Sequence, residues 1–300
     1  MTYSIVAFDP DSGDLGVAVQ SKFPNAGVTI PFARAGVGAI ASQAYLNPGF
    51  GHRGLVLLEH GASPDQALDI LVAGDPERAV RQVGMVDARG RSAAYTGAEC
   101  FPWCGALQGE HFTAQGNVLA GPGVVAAMAE TFAGSSGPLA ERLLAALAAG
   151  QEAGGEVRGQ QSAGLLVVRA GGGYGGHDDR LVPISVYDHP TPIAELERLY
   201  AIHRLTYFRS RPEDLVAVAG PLARELQSLL RERGFYEGAM DGECGPLMRR
   251  ALHDFMGWEN YDERIRDDGL IDREVLEDIR RKHGGSGARS ARGLAARADD

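Results

Sequence analysis

The residue types that could do chemistry here are few, and the first of them stands at position 2. The chain opens MTYSIVAFDPDSGDLGVAVQS, in which Thr2 heads an apolar stretch, Tyr3 to Phe8, with no preamble. The turn-forming cluster Asp9-Pro10-Asp11-Ser12-Gly13-Asp14 and a second apolar run, Leu15 to Val19, complete the pattern of a β-hairpin. Chain ends are loose unless tied down, so a threonine fixed at the head of a strand asks for a reason. Lys22, just past the second run, also stands out. Of 29 basic residues only Lys22 and Lys282 are lysines. A lysine here, in a chain that uses arginine almost everywhere, suggests a task for a compact ammonium, although a solvated strand end explains it nearly as well. Cys100, Cys104 and Cys244 leave an odd thiol and lack the second pair a structural zinc site needs. Cys100 and Cys104 read as buried thiols. His52, His111 and His189 are scattered without ligand spacing, so no metal is expected.

Three hundred residues, 44% of them hydrophobic, suffice for one large domain and a smaller one. A formal charge of -10 argues against a nucleic-acid partner, which selects a basic face. No run of eighteen apolar residues offers a membrane span, and the first residues lack a basic segment and cleavage site. The expectation is a reduced, cytoplasmic protein with no membrane partner.

Along the chain, GVTIPFARAGVGAIASQA reads as strand-rich, and a helical register starts around Gly54 to His60. Ser63-Pro64-Asp65-Gln66 carries a Ser cap, Pro at the first helical position and Gln three residues after the cap. That helix should stop at Gly74. Two short strands flank Asp87-Ala88-Arg89-Gly90, and HFTAQGNVLAG is a strand and turn. GPGVVAAMAETF and GPLAERLLAALAAG are helices, the second with Pro138 near its start and Gly150 past its end. SAGLLVVRA is a strand buried on both faces. GGGYGG at 171–176 lacks the ensuing helix a phosphate loop requires, and reads as a connection. Hairpin-joined strands bracketing helix groups predict antiparallel sheet covered by helices. From Ile193 the pattern becomes charged helix, broken at Arg211-Pro212. PLARELQSLLRERGFYEG, MDGECGPLMRRALHDFM and DDGLIDREVLEDIRRK then give three helices, and the segment 284–300 reads as a disordered tail.

Together the segments TYSIVAFDPDSGDLGVAVQSKF, ARAGVGAIASQAYLNPGFGHRGLVLL, RQVGMVDARGRSAAYTG, AQGNVLAG and RGQQSAGLLVV resemble the bacterial DUF1028 family, in order from residue 2 to about residue 205. That family looks like a branch of the N-terminal-nucleophile (Ntn) hydrolases, the superfamily of proteasome β-subunits. LQSLLRERGFYEGAMDGECGPLMRRALHDF resembles small three-helix peptidoglycan-binding domains. The resemblances imply an α+β protein: an αββα four-layer sandwich over residues 1–205, then a helical domain over 213–283. A homo-oligomer is expected, and a muropeptide or glycan is the ligand implied for the second domain.

The resemblance also implies a chemistry. Met1 is readily removed before a small residue, and the product would present Thr2 with a free α-amine. The reference pKa of such an amine is about 7.7–8.0, so part of it is neutral at working pH and can take the hydroxyl proton. Lys22 would lower that pKa further, although the superfamily often carries this lysine on the third strand, where the sequence offers Arg34. Oxyanion or substrate-binding positions would be Ser42, Gln43 and Asn47 on one side and Asn117 on the other. Arg158, Gln161 and Ser162 match the segment that supports the amine, with Glu156 in place of an aspartate. The implied reaction is cleavage of an amide-type bond in a small substrate, without a cofactor. Gln43, Asn47 and Asn117 read equally well as turn residues or satisfied buried amides, and the alternative function is a non-catalytic ligand- or cell-wall-binding protein.

Overall fold

The computed structural model describes residues 2–283; Met1 and the predicted tail at 284–300 lie outside them. The chain divides between Tyr200 and Ala201 into two compact units. The first contains β1 (Thr2–Phe8), β2 (Leu15–Ser21), α1 (Ala26–Thr29), β3 (Pro31–Arg34), β4 (Gly38–Ala44), α2 (Pro48–Glu59) and α3 (Pro64–Ala73). It continues with β5 (Arg81–Asp87), β6 (Ser92–Thr96), β7 (Gly105–Gly109), β8 (Phe112–Gly116), α4 (Pro122–Gly134), α5 (Leu139–Glu152), β9 (Ser162–Val168) and β10 (Arg180–Val186). The division falls within α6 (Pro192–Tyr207). The second unit holds β11 (Leu215–Ala217), α7 (Gly220–Glu232), α8 (Pro246–Trp258), β12 (Leu270–Asp272) and α9 (Arg273–His283).

Two antiparallel sheets build the first unit, ordered β10-β9-β2-β1-β8-β7 and β3-β4-β5-β6. β1 packs across on β4 and β5, α4 and α5 cover the larger sheet, and α2 and α3 cover the smaller. This is a four-layer αββα arrangement of the α+β class. Alternation along the strands divides the side chains cleanly. Val6, Leu15, Val17 and Val19 meet Ala39, Ala41 and Val86 between the sheets, while Ile40, Val83 and Met85 meet Phe50, Leu55 and Leu71 under α2 and α3.

The Ser63–Gln66 capping box is present in both directions, with Ser63 Oγ accepting from Gln66 N–H at 3.2 Å and Gln66 Oε1 accepting from Ser63 N–H at 2.9 Å. Three details differ from the sequence reading. The strand-rich stretch begins with a helical turn, α1, which crosses so close to β9 that a Cβ on Gly164 would sit 2.2 Å from Gly27 Cα. Helix α2 starts at Pro48, well before Gly54, because the Asn47 side chain caps it by accepting from Gly49 N–H. Helix α5 runs through Gly150 to Glu152; that glycine leaves room for Met128 and Tyr3 against the sheet and is not a stop.

In the second unit, α7 and α8 pair while β11 and β12 form a two-stranded ribbon. Leu226, Leu230, Met248, Leu252, Phe255, Ile271 and Ile279 fill its core. Arg264 and Asp272 are both buried and ion-paired at 2.8 Å, as a charge taken from water must be.

Candidate active site

The apolar filling between the sheets stops before their end. At the end where β1 begins, the same inward-facing positions carry hydroxyls and amides. Thr2 lies opposite Ser21 on β2, which lies opposite Ser162 on β9. On its other flank Thr2 exchanges both backbone hydrogen bonds with Asn117, at 3.2 and 3.0 Å, one residue beyond β8. A row Asn117–Thr2–Ser21–Ser162 therefore crosses four strands, and all four residues are buried. Thr2 Oγ1 and Ser21 Oγ share a hydrogen bond of 2.9 Å.

The next inward positions build a second tier that links the sheets. Ser4 Oγ donates to Gln43 Oε1 at 2.7 Å and accepts from Gln115 Nε2 at 2.7 Å. Gln43 Nε2 and Asn117 Nδ2 both donate to Gln82 Oε1 at 2.8 Å. Gln82 Nε2 donates to Gly116 O at 2.8 Å and to Thr96 Oγ1 at 3.0 Å. Buried polar groups left unpaired cost about 1–3 kcal/mol each, so a dense network is the arrangement such residues require. Gly84 makes space for it: a Cβ there would stand 2.1 Å from Gln115 Oε1.

Two loops clamp the turn that carries Asn117. Val118 N–H donates to Phe101 O and Leu119 N–H to Trp103 O, while Val157 N–H donates to Val118 O. Glu156, in the second of these loops, is buried and uses both oxygens, Oε2 for Lys22 N–H at 2.7 Å and Oε1 for Arg158 at 2.5 Å. Burial, with the charge of Glu156, pushes the Tyr3 phenol well above its usual range; its hydroxyl donates to Gln151 Oε1.

The structure thus brings together Thr2, Gln43, Asn117 and Ser162 among the residues singled out from sequence. Ser162 Oγ donates to Phe23 O at 2.6 Å and accepts from Ala26 N–H, so it fixes the loop after β2. Ser42 faces the helix side, where its hydroxyl donates to Asn47 O, and Asn47 caps α2. Arg158 donates to Glu156 and Lys22 O, and Gln161 pairs its backbone with Ser21 and His189. Lys22 Nζ donates to Gln160 O at 3.1 Å on the exposed side, and Arg34 pairs with Glu59 at the surface. No hydrogen bond joins either cation to Thr2. Sequence reasoning missed Ser4, Ser21, Gln82 and Gln115. Their signal was the two-residue spacing, Thr2–Ser4 and Thr113–Gln115, which puts them on the same face as the network.

A family model described as "Family of unknown function (DUF1028)" matches residues 2–196. The chain belongs to the DUF1028 family. A second model, "Putative peptidoglycan binding domain", matches residues 206–278. Among solved structures, the chain is similar to a crystal structure of a DUF1028 protein from Silicibacter pomeroyi. The two share 32% identity with a TM-score of 0.62, over 68% of this chain and 89% of that one. No curated protein matches. Among the described residues, no helix is long and apolar enough to cross a membrane, and no three His, Cys, Asp or Glu side chains gather as a metal site.

Proposed function

We propose that this DUF1028 unit is an amidohydrolase of the Ntn type that uses Thr2 as its nucleophile once Thr2 is the first residue of the chain. The supporting observation is the setting of Thr2 Oγ1. It lies buried at the head of β1, hydrogen-bonded to Ser21 Oγ, where neutral side-chain amides from both sheets converge. With a free terminus, the Thr2 amine takes the Oγ1 proton as the oxygen adds to a substrate carbonyl carbon. The C–N bond then breaks with that proton passing to the departing amine, and water releases the acyl group from Oγ1. Lys22 would tune the pair only by leaving Gln160 O, so Lys22→Arg should fold normally and react more slowly. Ser42 and Asn47 would act through the placement of α2.

The test is intact mass combined with an epoxyketone, an electrophile that closes a ring onto the hydroxyl and amine of one residue. The chain should begin at Thr2 and take up one equivalent there. Thr2→Ser should keep part of the reactivity, and folded Thr2→Ala should have none. An equally labelled Thr2→Ala protein would refute the mechanism.

A second reading has its own observation: Thr2 is only 2% exposed, as in a closed polar core. An unlabelled protein that begins at Thr2 would favour a binding role. For the C-terminal unit we propose a glycan or muropeptide ligand. A cavity of about 390 Å³ is lined by Arg249, Arg250 and His253 with Asp254 and Asp267; Asp254 pairs with Arg250 and Asp267 lies beside His253, so Arg249 is the cation it offers to a peptide carboxylate. Retention of the full chain on purified sacculi, lost in Arg249→Glu/Arg250→Glu, is the expected result.

A further inference from the structure

The amide network can be read as a chain of forced choices, and it leaves one atom over. Gly116 O is a backbone carbonyl and can only accept, so the Gln82 group 2.8 Å from it must be the Nε2 amide. That turns Gln82 Oε1 toward Gln43 and Asn117, and both must present nitrogen to it. Gln43 completes its set, because its Oε1 accepts from Ser4 Oγ. Asn117 does not. One of its Nδ2 hydrogens goes to Gln82, and no described group donates to Asn117 Oδ1, although the residue is 1% exposed. The side chain therefore leaves its Oδ1 acceptor without a donor.

The missing donor has an evident source. Thr2 N is paired with Asn117 O at 3.2 Å, and within a peptide it carries a single hydrogen, already used there. As a terminal amine the same nitrogen gains a second N–H and a lone pair. Thr2 and Asn117 are neighbours in one row, with their side chains on one face of the sheet. Resting on the Thr2 reading above, we propose that Asn117 is a positioning residue that holds the Thr2 amine with its main-chain O and its Oδ1. With both N–H groups held, the lone pair is left for the Oγ1 proton.

The charged and titratable groups around this end of the sheets are otherwise engaged. Glu156 holds Arg158 and Lys22 N–H, Lys22 Nζ holds Gln160 O, and Tyr3 bonds Gln151 on the helix side. Arg81 is paired with Asp75 and Glu77, and Cys100 and Cys104 donate to backbone carbonyls. None of these groups bonds the Asn117 side chain, so a shift in pH dependence on its replacement reports on the amine.

The experiment is the rate of epoxyketone labelling at Thr2 against pH, measured by intact mass on the full chain. The wild-type rate should rise with pH through the amine titration. Asn117→Asp keeps the Oδ1 acceptor and gives up the Nδ2 donor to Gln82, whose Oε1 retains Gln43 Nε2, and it adds a negative charge beside the amine, which favours the ammonium. Its midpoint should move up by about one unit, with labelling near pH 6.5 about tenfold slower and the high-pH plateau largely kept. Asn117→Ala retains only the main-chain contact and should lose about tenfold at the plateau. A midpoint in Asn117→Asp within a few tenths of wild type overturns the inference, and so does an Asn117→Ala protein that labels like wild type. The alanine variant decides the matter if the aspartate variant does not fold. Failure of the wild type to label despite a free Thr2 terminus is a different outcome, which removes the nucleophile reading and this inference with it.

Discussion

Adding a single methyl group at Gly84 should test whether the two sheets are locked by the buried amides. The β-carbon of Gly84→Ala would lie 2.1 Å from Gln115 Oε1, 2.5 Å from its Cδ and 2.8 Å from its Nε2. A free glutamine end would swing away at little cost. Gln115 is tied by Ser4 Oγ at 2.7 Å, Ser4 O at 3.3 Å and Thr113 Oγ1 at 3.1 Å, so it can yield only by breaking buried hydrogen bonds. Overpacking costs about 1–3 kcal/mol, and unsatisfied buried partners add about 1–3 kcal/mol. A loss of roughly 2–6 kcal/mol lowers the melting temperature of a unit this size by about 4–24 °C. The assay is a thermal melt of the N-terminal unit for Gly84→Ala, Gln115→Ala and the double variant. Truncating Gln115 empties the space the new methyl needs, so the double variant should be destabilised by clearly less than the sum of the two. A Gly84→Ala protein melting within 1 °C of wild type, or strictly additive variants, would refute the locked network.

Asp75 is held below its ordinary carboxylate range, first by the Arg81 hydrogen bond and also by Glu77 N–H and Asn47. Its folded pKa is the lower one, so its stabilisation is present at neutral pH and fades as pH falls below about 4. Asp75→Asn should cost on the order of 1.5–3 kcal/mol at pH 7 and flatten the acid arm of melting temperature against pH. A chain ending at Arg209 should melt cooperatively, because the sandwich core lies wholly before Tyr200; a loss of cooperativity would show that the sandwich depends on residues beyond Arg209. Tyr261 donates to Asp278 in the core of the second unit, and Tyr261→Phe should lower that unit's stability by about 1.5–3 kcal/mol without affecting Thr2 labelling.

Local rules determined much of this protein. The turn cluster at 9–14 and its flanking apolar runs dictate the β1–β2 hairpin, Ser63 and Gln66 dictate where α3 begins, and two-residue alternation places Thr2 and Ser4 on one face. Those are short-range effects, complete within a few residues. Register and layer were decided elsewhere. Whether Lys22 or Ser21 faces Thr2 depends on a one-residue phase of the hairpin, and the pairing gives that place to Ser21. Ser42 and Gln43 are adjacent in sequence, yet one meets the helices and the other meets Gln82 across the sandwich. Nothing in the residues themselves says which face of a strand buried on both sides looks toward the second sheet. Gly150 resembles a helix stop until Met128 and Tyr3 are seen to need its missing side chain. The sequence alone specified a threonine at the head of a strand. The amides that surround it come from strands far apart in the chain, and only the packing of one sheet on the other makes them a site.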